Sequence, residues 1–119
     1  MNSMRNKVQL IGNLGQDPEV RNFDNGKVVA RFSLATTDSY RDSEGKKITE
    51  TQWHNIVAWG TLAKTIEKYL TKGSEVAVEG KLTHRAYDDK DGIKRYFTEI
   101  VLNEMVMLRT KQTADKPEV

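Results

Sequence analysis

Residues 49 to 73 read Thr49-Glu-Thr-Gln-Trp-His-Asn-Ile-Val-Ala-Trp59 and then Gly60-Thr-Leu-Ala-Lys-Thr-Ile-Glu-Lys-Tyr-Leu70-Thr-Lys-Gly73, and the hydrophobic period changes in the middle of them. Up to Trp59 the residues are β-formers, and Trp53, Asn55, Val57 and Trp59 fall on one side of an extended chain. Beyond Gly60 the apolar residues Leu62, Ala63, Ile66, Tyr69 and Leu70 recur at helical spacing. Thr61 is suited to cap that helix, and Gly73 to terminate it.

Working upstream, Val28, Ala30, Phe32, Leu34 and Thr36 alternate with Val29, Arg31, Ser33, Ala35 and Thr37, the signature of a half-buried strand. Before it, Asp24-Asn25-Gly26-Lys27 predicts a tight hairpin turn in which Asn-Gly supplies the positive φ angles, preceded by a short extended piece from Glu19 to Phe23. Residues 7 to 14 put Val8 and Leu10 on one face, and Gly12 marks a bulge or a close backbone approach. Residues 38 to 48 are polar and turn-rich and read as a long loop.

Downstream, Glu75 to Leu82 alternates through Val76, Val78 and Leu82. Asp88 to Gly92 turns, and Tyr96 to Leu108 forms a last strand through Thr98, Ile100 and Leu102. Nothing apolar repeats from Thr110 onward, so one domain over 1–109 and a short disordered tail over 110–119 are expected. Three strands, one helix and two strands match an oligonucleotide/oligosaccharide-binding (OB) fold: all-β with one helix, a five-stranded Greek-key barrel with an α-helix between strands three and four. Small SH3-like barrels lack a helix of this length there.

The 119 residues carry 19 Lys plus Arg against 17 Asp plus Glu, a formal charge of +2 too mild to name a partner without its layout. Absence of cysteine removes disulfides, thiolate zinc sites, iron–sulfur clusters and thiol nucleophiles. Apolar runs are short and Met1 to Lys7 is polar, so neither a membrane span nor a secretory segment is expected, and a cytoplasmic chain is. His54 and His84 stand on different strands without metal-ligand spacing. A calcium loop through Asp88, Asp89 and Asp91 would put Tyr87 at its first ligand position and Thr98 at its last, so a solvated turn is the better reading. Gly12-Asn13-Leu14-Gly15 lacks the Lys-Ser/Thr of a phosphate loop. No catalytic group, metal or cofactor is expected.

The informative constellation is aromatic and basic. Tyr40 with Arg41 sits in the first long loop, Trp53 and Trp59 on strand three, and Tyr87 with Arg85 at the second loop. Exposed rings beside cations suit base stacking, which tolerates any base; the competing reading is that the tryptophans fill the barrel. Lys64, Lys68 and Lys72 share one face of a continuous helix. Lys68 reads as solvated, whereas Lys64 and Lys72, with Lys7, Arg21, Arg31 and Lys81, suit a phosphate track.

Gly12-Asn13-Leu14-Gly15-Gln16-Asp17-Pro18-Glu19-Val20-Arg21, Ser33-Leu34-Ala35-Thr36, Thr51-Gln52-Trp53-His54, Tyr69-Leu70-Thr71-Lys72-Gly73-Ser74 and Val78-Glu79-Gly80 closely resemble the bacterial single-stranded DNA-binding protein family, in unbroken order over residues 4 to 108. The resemblance implies a homotetramer that wraps single-stranded DNA without sequence preference and protects it in replication, recombination and repair. It implies stacking roles for Tyr40, Trp53 and Tyr87, with Trp59 where the family has Phe and both tyrosines where enteric members have Trp. Lys7, Arg21, Arg41, Lys72 and Arg85 match basic positions of its DNA track, and His54 matches a histidine at the subunit interface. Lys64 and Lys81 are basic without being clear matches. Family members usually end in an acidic tip closing on Pro-Phe, which recruits replication and repair proteins; Ala114-Asp115-Lys116-Pro117-Glu118-Val119 does not carry it. The alternative is a related OB accessory factor of the replication primosome, often a dimer.

Overall fold

Side-chain alternation along extended segments sets the architecture. In the computed structural model, which describes residues 3–109, a single 3₁₀ turn (Ser3–Arg5) leads into β1 (Val8–Leu14), β2 (Glu19–Asn22), β3 (Val28–Arg41) and β4 (Lys47–Trp59). The helix α1 (Thr61–Tyr69) follows, then β5 (Glu75–Asp88) and β6 (Lys94–Arg109). The tail expected over 110–119 lies outside the described residues. The sheet runs β1-β5-β6-β4-β3-β2, and a second pairing of β1 with β3 closes it. Five strands thus form a ring, with the short β2 held as an edge on β3. Among the described residues only β4 and β6 pair in parallel, at Ile56↔Ile100 and Val57↔Val101. This is the OB barrel that the element order implied.

The core follows from strand parity. Ala30, Phe32 and Leu34 of β3, Ile56 and Ala58 of β4, Val76 and Val78 of β5, and Ile100 and Leu102 of β6 converge inside the ring. Full burial of each large aliphatic stabilises by about 1.5–3 kcal/mol before entropy is counted. Val8 and Leu10 of β1 pack against the same cluster. At Gly12 the close-approach reading holds and the bulge does not, because β1 and β5 stay in register through Gly12↔Val76. An added Cβ there would strike the Ala35 carbonyl, since β1 crosses from β5 to β3 at this point. The register shifts lie instead between β5 and β6, near Glu75/Val76 and Glu79/Gly80, where β6 carries the extra residues Leu108 and Asn103.

The two long loops are mostly β-ribbon. β3 and β4 remain paired to Arg41↔Lys47, and β5 and β6 to Asp88↔Lys94, so the turns shrink to 42–46 and 89–93. Cross-strand hydroxyls of Thr37 with Thr51 and Ser39 with Thr49 line the first ribbon. Both of its faces are largely wet, which leaves no apolar period for the sequence to display. All three hairpins share one turn. In the first, the Phe23 N–H donates to the Lys27 carbonyl and the Gly26 N–H to the Phe23 carbonyl, a pattern repeated at Asp42 and Asp89. Gly26 alone takes a positive φ, 85°, and Asn25 does not, so the tight turn is a type I turn followed by a left-handed glycine rather than one in which both Asn25 and Gly26 have positive φ.

Gly60, not Thr61, occupies the helix N-cap, without a side-chain cap; Thr61 is the first helical residue. Ala63, Ile66 and Leu70 are buried where α1 packs on β3, β4 and β2. Tyr69, grouped with the apolar face by spacing, is exposed beneath the Lys68 ammonium, 5.4 Å from its ring centroid. The chain becomes extended at Leu70, so the helix ends before Gly73 and Lys72 falls outside the row of Lys64 and Lys68. Gly73 instead donates its N–H to the Leu14 carbonyl. Gly12→Ala forces β1 off Ala35 and is expected to cost about 1–3 kcal/mol, read by chemical denaturation, by the overpacking mechanism.

Candidate nucleic-acid interface

The parity that sends Ala30 and Ile56 inward sends Arg31 of β3 and Trp53, Val57 and Trp59 of β4 to the outer face. Val29 and Val57 are buried yet stand apart from the barrel core, next to their cross-strand partners Trp59 and Arg31. The outer face is therefore partly apolar before any ligand arrives. Phe23 stacks on Trp59 with centroids 6.3 Å apart and planes 20° from parallel. These two rings, Arg21 and Arg31 line a concavity of about 250 Å³. Trp59 stays 47% exposed and Trp53 61%, so neither fills the barrel. The Trp53 indole lies against Gly15, where any Cβ would collide with it.

On β5 and β6 the same face carries Arg85, Tyr87, Phe97 and Glu99, in register at Arg85↔Phe97. Arg31, Arg85, Tyr87 and Phe97 line an open concavity of about 420 Å³. The Arg85 guanidinium sits 5.7 Å from the centroid of Phe97. Phe97 also lines a second hollow with Trp53, and so links Trp53 to Tyr87. Arg31 and Arg85 converge on Glu99, at 2.8 and 3.3 Å. Lys81 shares the parity of Arg85, two turns of the pleat away.

Other residues singled out from the sequence are not gathered here. Tyr40 is exposed, but alternation puts it on the opposite side of its ribbon from Arg31 and Trp53. Arg41 is turned onto its own hairpin, donating through Nη1 to the Gly45 carbonyl at 2.9 Å. Lys7 pairs with Glu79 at 3.4 Å, beside β5. The Gln9 amide hydrogen bond, helped by Lys7 and opposed by desolvation, holds that carboxyl below its usual range. Lys64 is on α1, and Lys72 is in the following loop, where its backbone N–H donates to Asp17 Oδ1 at 2.8 Å. His54 faces the barrel side of β4, half-buried, with Nε2 2.9 Å from Thr36 Oγ1.

Phe23, Phe97 and Glu99 belong to the outer face but were not among the residues chosen from sequence. Phe97 and Glu99 alternate with the inward Thr98 and Ile100, a signal that period two contains once the strand's direction is known. Among the described residues, no cluster of His, Cys, Asp or Glu could hold a metal ion, and no helix is long and apolar enough to cross a membrane.

A closed OB barrel whose outer face sets two uncovered indoles and a phenol among arginines defines a nucleic-acid-binding module in class. The chain belongs to the single-strand binding protein family, whose model matches residues 5–108. It is 50% identical over 109 residues to Single-stranded DNA-binding protein 1 of Chlorobaculum tepidum, spanning 91% of this chain and 67% of that one. Identity to the single-stranded DNA-binding protein of Bacteroides thetaiotaomicron is 52% over 108 residues, 89% of this chain and 67% of the relative. The fold superposes on a Plasmodium falciparum SSB solved in complex with ssDNA, with TM-score 0.81 and 35% identity, covering 91% of this chain and 99% of that one.

Next to Tyr87, Asp89 organises the β5–β6 turn. Its Oδ1 accepts the Asp91 and Ile93 N–H groups, and its Oδ2 the Arg95 Nε, all at 2.8–2.9 Å. The Arg95 hydrogen bond, joined by those amides against desolvation, lowers its pKa below the ordinary 3.8. A lowered carboxylate contributes stability above its unfolded pKa and loses it as pH falls through the folded one. Amide protection at Asp91 and Ile93 is therefore expected to persist as pH drops through 3.8 and to fade only below it. Asp89→Asn should lose that profile in the same hydrogen-exchange measurement.

Proposed function

We propose that the chain binds single-stranded DNA without base-sequence preference, as a non-catalytic protein that shields exposed strands during replication, recombination and repair. The observation that carries this reading is a set of rings left open to solvent on a partly apolar face and interleaved with guanidinium groups. Each base finds a π-face there whatever its identity. Trp53, Trp59 and Tyr87 supply the stacking surface of one face, and Tyr40 offers a further exposed ring on the other side of the first ribbon. Arg21, Arg31, Arg41, Arg85, Lys7, Lys64, Lys72 and Lys81 supply cations, and each phosphate contact adds roughly −0.7 to the log–log salt slope. A cytoplasmic, nucleoid-associated location follows from such a ligand.

The binding reading is tested by quenching of tryptophan fluorescence with oligo-dT and oligo-dA. Both are expected to quench, with similar affinities at low salt. Trp53→Ala should cost about 1–3 kcal/mol, the general value for base stacking in single-strand binding proteins, this family among them. A folded protein that gives no quenching at low salt overturns the reading.

The same protein is proposed to assemble as a homotetramer, with His54 near a subunit boundary. Support comes from the outer face of β1, β5 and β6, where Ile11, Ala77 and Val106 stand side by side in register. Ile11 is 61% and Val106 59% exposed, an apolar row that water disfavours. Ile11→Lys is expected to lower the mass seen by light scattering without unfolding the barrel. An unsubstituted chain that is dimeric and binds only short sites weakly would favour the primosome accessory reading. Replication and repair proteins are proposed as further partners.

A further inference from the structure

The outer face holds a carboxylate that binding an anion does not call for. The Glu99 side chain is only 7% exposed, and its oxygens are divided between two arginines. Oε2 accepts from Arg31 Nη1 at 2.8 Å, and Oε1 lies 3.3 Å from Arg85 Nη2. Its strand is pinned beneath them, since Thr83 Oγ1 donates to the Glu99 carbonyl. The arginine side chains keep 43% and 56% of their surface exposed, so each retains N–H groups for a ligand.

A nearly buried carboxylate stripped of its partners is strongly unfavourable. A phosphate that pulled both guanidiniums off Glu99 would strand that charge, so the three side chains meet the ligand together. Two positive charges and one negative leave the trio at +1. We propose that Glu99 is a built-in counter-charge of the DNA track, limiting the Arg31 and Arg85 pair to neutralising about one phosphate instead of two and so moderating the salt dependence of binding. This rests on the single-stranded DNA reading and concerns the regulation of that same face. Neither arginine is a free cation of the kind that counting basic residues assumes.

The test is the salt dependence of oligo-dT affinity for the full chain, E99Q, R31Q and the double variant R31Q/E99Q, each checked for folding by thermal melting. E99Q should bind several-fold tighter at low salt, with a slope steeper by about 0.7, and R31Q should be shallower by about 0.7, one single-strand phosphate contact in each case. The double variant leaves Arg85 alone at +1 and should return to the unsubstituted slope. That rescue remains decisive even if E99Q alone folds poorly. A double variant as shallow as R31Q, or an E99Q slope equal to or shallower than the unsubstituted one, overturns the inference while leaving the DNA reading intact. An unsubstituted chain that does not bind oligo-dT overturns both.

Discussion

The structure depends on β1 being hydrogen-bonded along both edges. It pairs with β5 from Val8 to Asn13 and with β3 at Asn13 and Leu14. Without the second pairing the sheet would be open, with unpaired edges that invite association. With it, each strand of the ring has a fixed inside and outside, and a one-residue slip would exchange the two. Gly12 makes the crossing physically possible, because only a residue without Cβ lets β1 come this close to Ala35. The same contact borders the aromatic face, since Ala35 is the cross-strand partner of Trp53 and the Trp53 indole lies against Gly15.

That fixed parity explains why the outer face has its mixed character. Val29 and Val57 make it partly apolar, and the rings of Trp53, Trp59 and Tyr87 extend that character into solvent. Arg31 and Arg85 stand among the rings and are held by Glu99, and cations away from this face are held likewise, Lys7 by Glu79 and Arg41 by the Gly45 carbonyl. Stacking carries no sequence information, and partly neutralised cations add long-range attraction without demanding a fixed phosphate geometry. A surface of this composition suits a flexible polyanion of any base sequence, as the proposed function requires.

Much of this was legible in the residues, for a physical reason. Val28 to Thr37 and Trp53 to Trp59 are drier on the inward side, with Arg31, Trp53, Asn55 and Trp59 exposed on the other, so their period shows, as does its change at Gly60. The ribbons beyond Thr37 and Leu82 are wet on both sides, and nothing in their composition distinguishes a paired strand from a loop. Tyr40 was legible as exposed, but not the side of its ribbon on which it lies. Thr61 is a good cap by type, yet the chain enters the helix one residue earlier, through Gly60 at φ 66°. Glu99 was invisible because its partners come from two other strands, Arg31 being 68 residues away, and only the register of β3, β5 and β6 brings them together.

Hydroxyl-radical footprinting with and without oligo-dT shows whether the strand lies on the aromatic face of the barrel. Trp53, Trp59 and Tyr87 are all exposed in the protein, and so is Tyr69 on the helix, which serves as an internal reference. DNA is expected to shield the three rings of the sheet and to leave Tyr69 as reactive as before. Shielding of Tyr69 with the other three unchanged would show that the strand lies elsewhere and would contradict the proposed interface.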